Sequence, residues 1–198
     1  MFTGIIQSFG FIENIDRDTN VYTLKTKLDL NDCKVGSSIS CDGVCLTITN
    51  ILDHSFSVNI GEETVNRSNI SCWNKYTKIN LEKSLKVGDE ISGHFVYGHV
   101  DTTIELKKII KIQNSWEYEF SLFSSSVNMD VKKYLAEKGS VAINGISLTI
   151  ANIYEKSFNI SVIPYTLENT NLSILKEKDI VNIEFDPLAR YLDGRYGS

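Results

Sequence analysis

The sequence predicts an all-β chain made of two copies of one small antiparallel domain, a barrel or a sandwich. Residues 38–70 (SISCDGVCLTITNILDHSFSVNIGEETVNRSNI) and 140–172 (SVAINGISLTIANIYEKSFNISVIPYTLENTNL) align without a gap at an offset of 102, with 11 of 33 positions identical. Chance would supply about two identities, since common residues each make up less than a tenth of a typical chain. Each copy also carries a turn dipeptide between alternating apolar residues, Asp42-Gly43 and Asn144-Gly145. Such pairs favour a type I′ hairpin, because both central residues take positive φ. Finally, short runs rich in Ile, Val, Thr, Phe and Tyr recur between turn residues, and Pro164 and Pro187 are the only prolines. A repeat this long that occurs twice reads as a duplicated domain, not a solenoid.

The elements follow in order. Strands are expected at MFTGIIQSF (1–9), VYTLKTKL (21–28), on both sides of Asp42-Gly43, and at SFSVNI (55–60). Residues 64–70 suggest a single helical turn. Further strands are expected at WEYEFSLF (116–123), on both sides of Asn144-Gly145, at SFNISVI (157–163) and at DIVNIEF (179–185). Residues 126–139 (SVNMDVKKYLAEKG) have apolar spacing near 3.6 and a glycine stop, which predicts a helix. PLARYLDG at 187–194 has proline at a helix start and glycine at its end. The junction between copies falls near His94–Gly98, dividing the chain into 1–97, 98–186 and a tail, 187–198.

Composition narrows the function. A chain of 198 residues suits two domains of about 100 residues each. The net charge is −5 and no block of five basic residues occurs, which argues against nucleic acid and anionic membranes as partners. No apolar run approaches the roughly 18 residues of a membrane span, and the start lacks the basic region of a signal peptide. Cys33, Cys41, Cys45 and Cys72 show no CxxC spacing and are expected to be reduced thiols in a cytoplasmic protein. His94 with His99 (HxxxxH) and Cys41 with Cys45 (CxxxC) do not match zinc-ligand spacings. His94 alone reads as structural, His54 as a turn residue, and Trp73 and Trp116 as core or interface residues. Cys33, Cys41 and Cys72 read as packing thiols.

Side chains alternate across a strand. After the first turn Val44, Leu46 and Ile48 share one face, and Cys45, Thr47 and Thr49 the other. After the second, Ile146, Leu148 and Ile150 oppose Ser147, Thr149 and Ala151. The aliphatic face belongs to the core. The other face is either a plain wet surface or a paired site for a polar heterocycle. The same polar pair beside the same turn in both copies favours the paired site.

MFTGI, CDGVCLTIT, GHFVYGHVD, NGISLTI and VNIEFDPLARY, in this order along nearly the whole chain, closely resemble the riboflavin synthase family. The resemblance implies two six-stranded antiparallel Greek-key barrels, short helices and a C-terminal helix, assembled as a homotrimer. It implies a dismutation of two 6,7-dimethyl-8-ribityllumazine molecules, by transfer of a four-carbon unit, to riboflavin and 5-amino-6-ribitylaminouracil. No metal or redox cofactor is implied. Each site would lie between the N-terminal barrel of one subunit and the C-terminal barrel of its neighbour, and would hold one lumazine on each. Carried onto this chain, the N-barrel pocket comprises Gly4, Ile5, Ile6, Cys45, Leu46, Thr47, Asn59, Ile60, Gly61, Glu62, Glu63 and Thr64. The C-barrel pocket comprises His99, Val100, Asp101, Lys138, Ser147, Leu148, Thr149, Ile163, Pro164, Tyr165, Thr166, Leu167 and Glu168. Phe2, Cys45, His99, Lys138, Ser147 and Asp186 stand at positions tied to catalysis.

Two residues depart from the pattern. Tyr97 stands where a smaller or amide residue is expected, and Ser92 where glycine is common. Gly194 is expected to end the final helix early. Two other functions remain open. A lumazine- or flavin-binding protein of the same fold would need only one competent pocket, whereas both motifs are intact here. A reductase-type flavin barrel would need a nucleotide domain, and no Gly-rich phosphate loop follows a strand.

Overall fold

A computed structural model describes residues 1–126 and 129–196. The chain forms two closed six-stranded antiparallel barrels. The first consists of β1 (Ser8–Asp16), β2 (Val21–Thr26), β3 (Ser38–Cys41), β4 (Val44–Leu52), β5 (Ser55–Asn59) and β6 (Lys78–Lys83), closed in the order β1-β2-β5-β4-β3-β6. The second consists of β7 (Thr102–Ile112), β8 (Ser115–Ser124), β9 (Ser140–Ile143), β10 (Ile146–Ile153), β11 (Ser157–Val162) and β12 (Ile180–Phe185). Its order, β7-β8-β11-β10-β9-β12, is the same. Bulges repeat too: β4 slips register between Ile48 and Asn50, and β10 between Ile150 and Asn152. Among the described residues three α-helices complete the fold: α1 (Glu62–Arg67), α2 (Pro164–Glu168) and α3 (Pro187–Tyr196).

Alternation along β4 and β10 matches the expectation. Val44, Leu46 and Ile48 sit in one barrel core and Ile146, Leu148 and Ile150 in the other, while Thr47 and Thr149 face out. Trp73 is buried in the first core and His54 is exposed in a turn.

The twin turns pack back to back. Asp42 and Gly43 have φ 47° and 80°, and Asn144 and Gly145 have φ 45° and 76°. A Cβ on Gly43 would lie 2.6 Å from Gly145 N, and one on Gly145 would lie 2.6 Å from Gly43 N. Glycine is needed there both for its φ and for the close approach. Around the turns runs a buried, two-fold-like amide network. Asn80 Nδ2 donates to Asn144 O (3.0 Å), and Asn182 Nδ2 to Asp42 O (2.8 Å). Asn171 N–H donates to Asn80 Oδ1, and Asn69 N–H to Asn182 Oδ1, both at 2.7 Å. The barrels are thus joined by mutually satisfied polar groups, which fixes their relative placement.

Five expectations need correction. The first strand is not at 1–9: residues 1–7 form an extended arm, and the strand is β1. The strands β6 and β7 are not among the expected ones. The helix expected over 126–139 reduces to a 3₁₀ turn at Val131–Tyr134; residues 127–128 of that segment lie outside the described residues. Asp130 caps the turn through Lys132 N–H at 3.2 Å, and Val131, Tyr134 and Leu135 pack on the second core. The core therefore takes these apolar residues from a short turn. Gly194 does not end α3, which runs to Tyr196. Among the cysteines Cys41 is buried, but Cys72 is exposed rather than packed.

Candidate active site

Two extended arms build the site. Residues 2–6 lead into β1 and residues 96–100 lead into β7. They bridge each other: Phe2 N–H donates to Val96 O at 2.6 Å, and Val96 N–H to Phe2 O at 3.0 Å. Each arm then lies on the barrel it does not lead into. Ser147 N–H in the second barrel donates to Gly4 O at 2.8 Å, and Cys45 N–H in the first donates to Gly98 O at 2.9 Å. Ile6 packs on the second core and Val100 on the first. The arms are exchanged within one chain. Gly4 and Gly98 both have φ 76°, and a Cβ would meet Ser147 Cβ at 2.6 Å or Cys45 Cβ at 2.5 Å. Only glycine lets the arms lie this close.

A buried glutamate pins each arm. Glu82 accepts from the N–H groups of Thr3 (2.6 Å) and Gly4 (2.9 Å). Glu184 accepts from those of Tyr97 (2.8 Å) and Gly98 (2.9 Å). Burial pushes both carboxyls above their ordinary value, partly opposed by these bonds.

The exchange regroups the residues carried over from the family. His99, Val100 and Asp101 join Cys45, not Ser147, and Gly4, Ile5 and Ile6 join Ser147, not Cys45. The first pocket is a cleft of about 380 Å³ lined by Cys45, Glu63, Thr64, Arg67, Ser68, His99, Val100, Asp101 and Arg190, among others. That volume suits a bicyclic ring. The His99 ring stacks on Tyr97, with centroids 6.0 Å apart. The Asp101 carboxylate accepts from Phe185 N–H and from Arg190 Nη2, both at 2.8 Å. Burial raises its carboxyl despite these bonds.

The face of the second barrel at Ser147 holds His94, which the sequence alone marks only as structural. His94 Nδ1 lies 2.7 Å from Ser147 Oγ, and its backbone N–H donates to Thr3 O at 3.1 Å. Burial pulls the imidazole below its ordinary value, while the Asp186 carboxylate pushes the other way. His94 is therefore a neutral imidazole bonded to a hydroxyl, which suits it to move a proton. Asp186 Oδ1 accepts from Leu188 N–H at 2.9 Å and so caps α3. A signal for His94 was present in the chain. Phe2-Thr3-Gly4 and Val96-Tyr97-Gly98 repeat at an offset of 94, and His94 falls just before the second copy.

The other candidates are placed as follows. Phe2 is fully buried against Val96 and Ala142, where it holds the arm and lines no cleft. Leu46 and Leu148 turn their side chains into the cores, and only their backbone is left to face a ligand. Ile60 is likewise in the first core. Asn59, Gly61, Glu62, Glu63 and Thr64 run from the end of β5 into α1 beside the first cleft. Ile163, Pro164, Tyr165, Thr166, Leu167 and Glu168 hold the matching place around α2, where Leu167 packs on the second core. Lys138 is exposed at φ 65°, bonds through its N–H to Ile150 O (2.8 Å) and does not line the His99 cleft. Arg67, Ser68 and Arg190 line that cleft and were not singled out in the sequence.

Twin barrels with equivalent polar faces at Cys45 and Ser147, the first opening on a cleft of bicyclic size, define a small-heterocycle-binding class of protein. A family model described as the lumazine binding domain matches residues 3–84 and again 97–186. The chain belongs to the lumazine-binding family. A riboflavin synthase of Photobacterium leiognathi is 38% identical over 199 residues, covering 98% of this chain and 88% of its own length. One from Bacillus subtilis (strain 168) is 36% identical over 197 residues (97% and 88%). One from Saccharomyces cerevisiae is 34% identical over 206 residues (98% and 85%). The crystal structure of LumP complexed with riboflavin superposes with TM-score 0.81 at 20% identity, covering 93% of this chain and 99% of LumP. At that identity the likeness concerns the fold. Among the described residues no helix is long and apolar enough to cross a membrane.

Proposed function

We propose that this chain is a riboflavin synthase, a transferase that converts two molecules of 6,7-dimethyl-8-ribityllumazine into riboflavin and 5-amino-6-ribitylaminouracil. The observation that carries this reading is a pair of polar clusters at equivalent places on the two barrels: Cys45, His99 and Asp101 lining one cleft, and Ser147 with His94 and Asp186 on the other barrel. Identity of 34–38% to riboflavin synthases along the chain supports it.

The lumazine that donates carbon loses its ring nitrogens' four-carbon unit to the acceptor, so the reaction needs no external oxidant or reductant. A C7 methyl proton leaves one ring to give a delocalised carbanion. The other ring is primed at C7 by a nucleophile. His94 accepts a proton from Ser147 Oγ or from a water that Ser147 orients, and His99 handles a proton at the Cys45 pocket. Thr47, Thr149 and the ends of α1 and α2 bind ring carbonyls and ribityl hydroxyls, and Lys138 and Asp186 set local charge. Holding two rings in reacting geometry can be worth an effective molarity of ~10⁵ M, so loss of one acid–base group slows turnover without ending it. The protein acts as a cytoplasmic homotrimer, with each site assembled from the N-terminal barrel of one subunit and the C-terminal barrel of its neighbour.

The competing reading is a lumazine- or flavin-binding protein without turnover, which needs only the fold that this chain shares with LumP. Incubation with 6,7-dimethyl-8-ribityllumazine separates the two. One riboflavin should appear, by absorbance, for every two lumazines consumed. Binding without any riboflavin would establish the non-catalytic reading.

A further inference from the structure

The two arms are pinned alike but neutralised differently. Near Glu82 the opposing positive charge is the chain's own α-amino group. Near Glu184 it is Arg190 of α3, 3.8 Å from Glu184 Oε1. The same Nη2 donates to Asp101 Oδ2 at 2.8 Å and to His99 O at 3.1 Å. One guanidinium nitrogen thus ties three groups together: the backbone of His99, the side chain of Asp101 and the glutamate that holds Tyr97 and Gly98. Arg190 also lines the cleft that contains Cys45. Among the described residues the first arm has no counterpart to this latch. Ile5 and Gln7 stand where His99 and Asp101 stand in the repeat, and Glu82 bonds the arm without an arginine.

We propose that Arg190 is a positioning residue: it locks residues 98–101 over the Cys45 pocket, so that its guanidinium sets the competence of that pocket and leaves the Ser147 side unchanged. This rests on the reading above, in which each barrel takes one lumazine. The planar guanidinium suits the task, because it presents several donors in a fixed fork, whereas lysine offers a compact point charge.

The test is a calorimetric titration of the full-length protein with an 8-ribityllumazine carrying a 7-oxo group in place of the 7-methyl, which cannot form the carbanion. Protection of the Cys45 thiol from iodoacetamide, read by peptide mass spectrometry, reports the first pocket separately. In the unmodified protein both pockets should fill and Cys45 should be shielded. In Arg190→Gln one class of binding should weaken at least tenfold, Cys45 should lose its protection, and the other class should be unchanged. With the true substrate, KM should rise more than kcat falls, and Arg190→Lys should recover part of the loss. Asp101→Asn removes the negative charge that Arg190 pairs with and should weaken the same class; it decides the matter if Arg190→Gln does not fold. Equal weakening of both classes, or no change in either, would overturn the proposal. No uptake by the unmodified protein would instead overturn the two-pocket reading.

Discussion

At the scale of single residues, the least symmetric part of the site is His94. The repeat supplies Cys45 and Ser147 as equivalents, yet only Ser147 has a histidine at 2.7 Å. Burial holds that imidazole below its ordinary value, with Asp186 acting in the opposite direction. A general base works only while unprotonated, and it is lost as pH falls through its pKa. Activity should therefore persist as pH drops through the ordinary imidazole range, and the acid limb of kcat/KM should lie below it. His94→Gln keeps a polar group near Ser147 but cannot take the proton. We expect kcat to fall on the order of 10²-fold, the low end of general-base effects, with KM little changed and that acid limb gone. An unaltered limb in the variant would remove His94 from the proton path. The residue scale also explains why His94 was hard to read. Apart from its place just before the arm repeat, nothing next to His94 in the sequence marks it, and its partner lies 53 residues further along.

At the scale of elements, the twin turns differ in one atom. Asn144 Oδ1 accepts from Asn182 N–H at 2.8 Å, and Asp42 Oδ1 accepts from Asn80 N–H at 2.7 Å, so an amide and a carboxyl do the same job. Asp42 is buried without a cation among its bonded partners, and burial pushes its carboxyl up to about 8. A folded-state value above the unfolded one means the unfolded chain releases its proton first. Stability should therefore decline as pH rises from about 4 to about 8, each pH unit in that window costing up to about 1.4 kcal/mol. Asp42→Asn removes the titrating group and copies the twin turn. Thermal melts at pH 5 and pH 8 should show the unmodified protein losing Tm across the window and the variant holding it, with a gain of several degrees at pH 8. Parallel losses would mean the carboxyl is not the cause. These turns were legible because Asp-Gly and Asn-Gly act locally, as did Pro187 at the start of α3. The arm at 1–7 was not. Its β-branched and apolar residues look like a strand, but Ile6 serves the opposite barrel, and only tertiary structure decides that. The 126–139 segment failed for the same reason: its helical spacing yields to the demand of the second core for Val131 and Tyr134.

At the scale of the whole molecule, the duplication is what made both barrels and both polar faces readable, while the grouping of the site was not. The strand repeat runs at an offset of 102 and the arm repeat at 94, and nothing in either offset says that the arms cross over. The crossing gives each pocket groups from both halves of the chain, so a pocket depends on how the barrels are joined as well as on how each one folds. The outer face of α3 extends this dependence beyond one chain. Leu188 and Tyr191 are each 71% exposed and Leu192 60%, an apolar stripe of the kind that marks a protein interface. Covering it in a homotrimer would hold α3, and through Arg190 the arm at 98–101, in place. Assembly and activity should then be linked by mass action. Specific activity measured over a dilution series, beside sedimentation of the same samples, should fall in the concentration range where the assembly dissociates. Leu188→Glu should move both transitions to higher concentration together. Activity that stays flat while the protein becomes monomeric would show that a single chain carries a complete site.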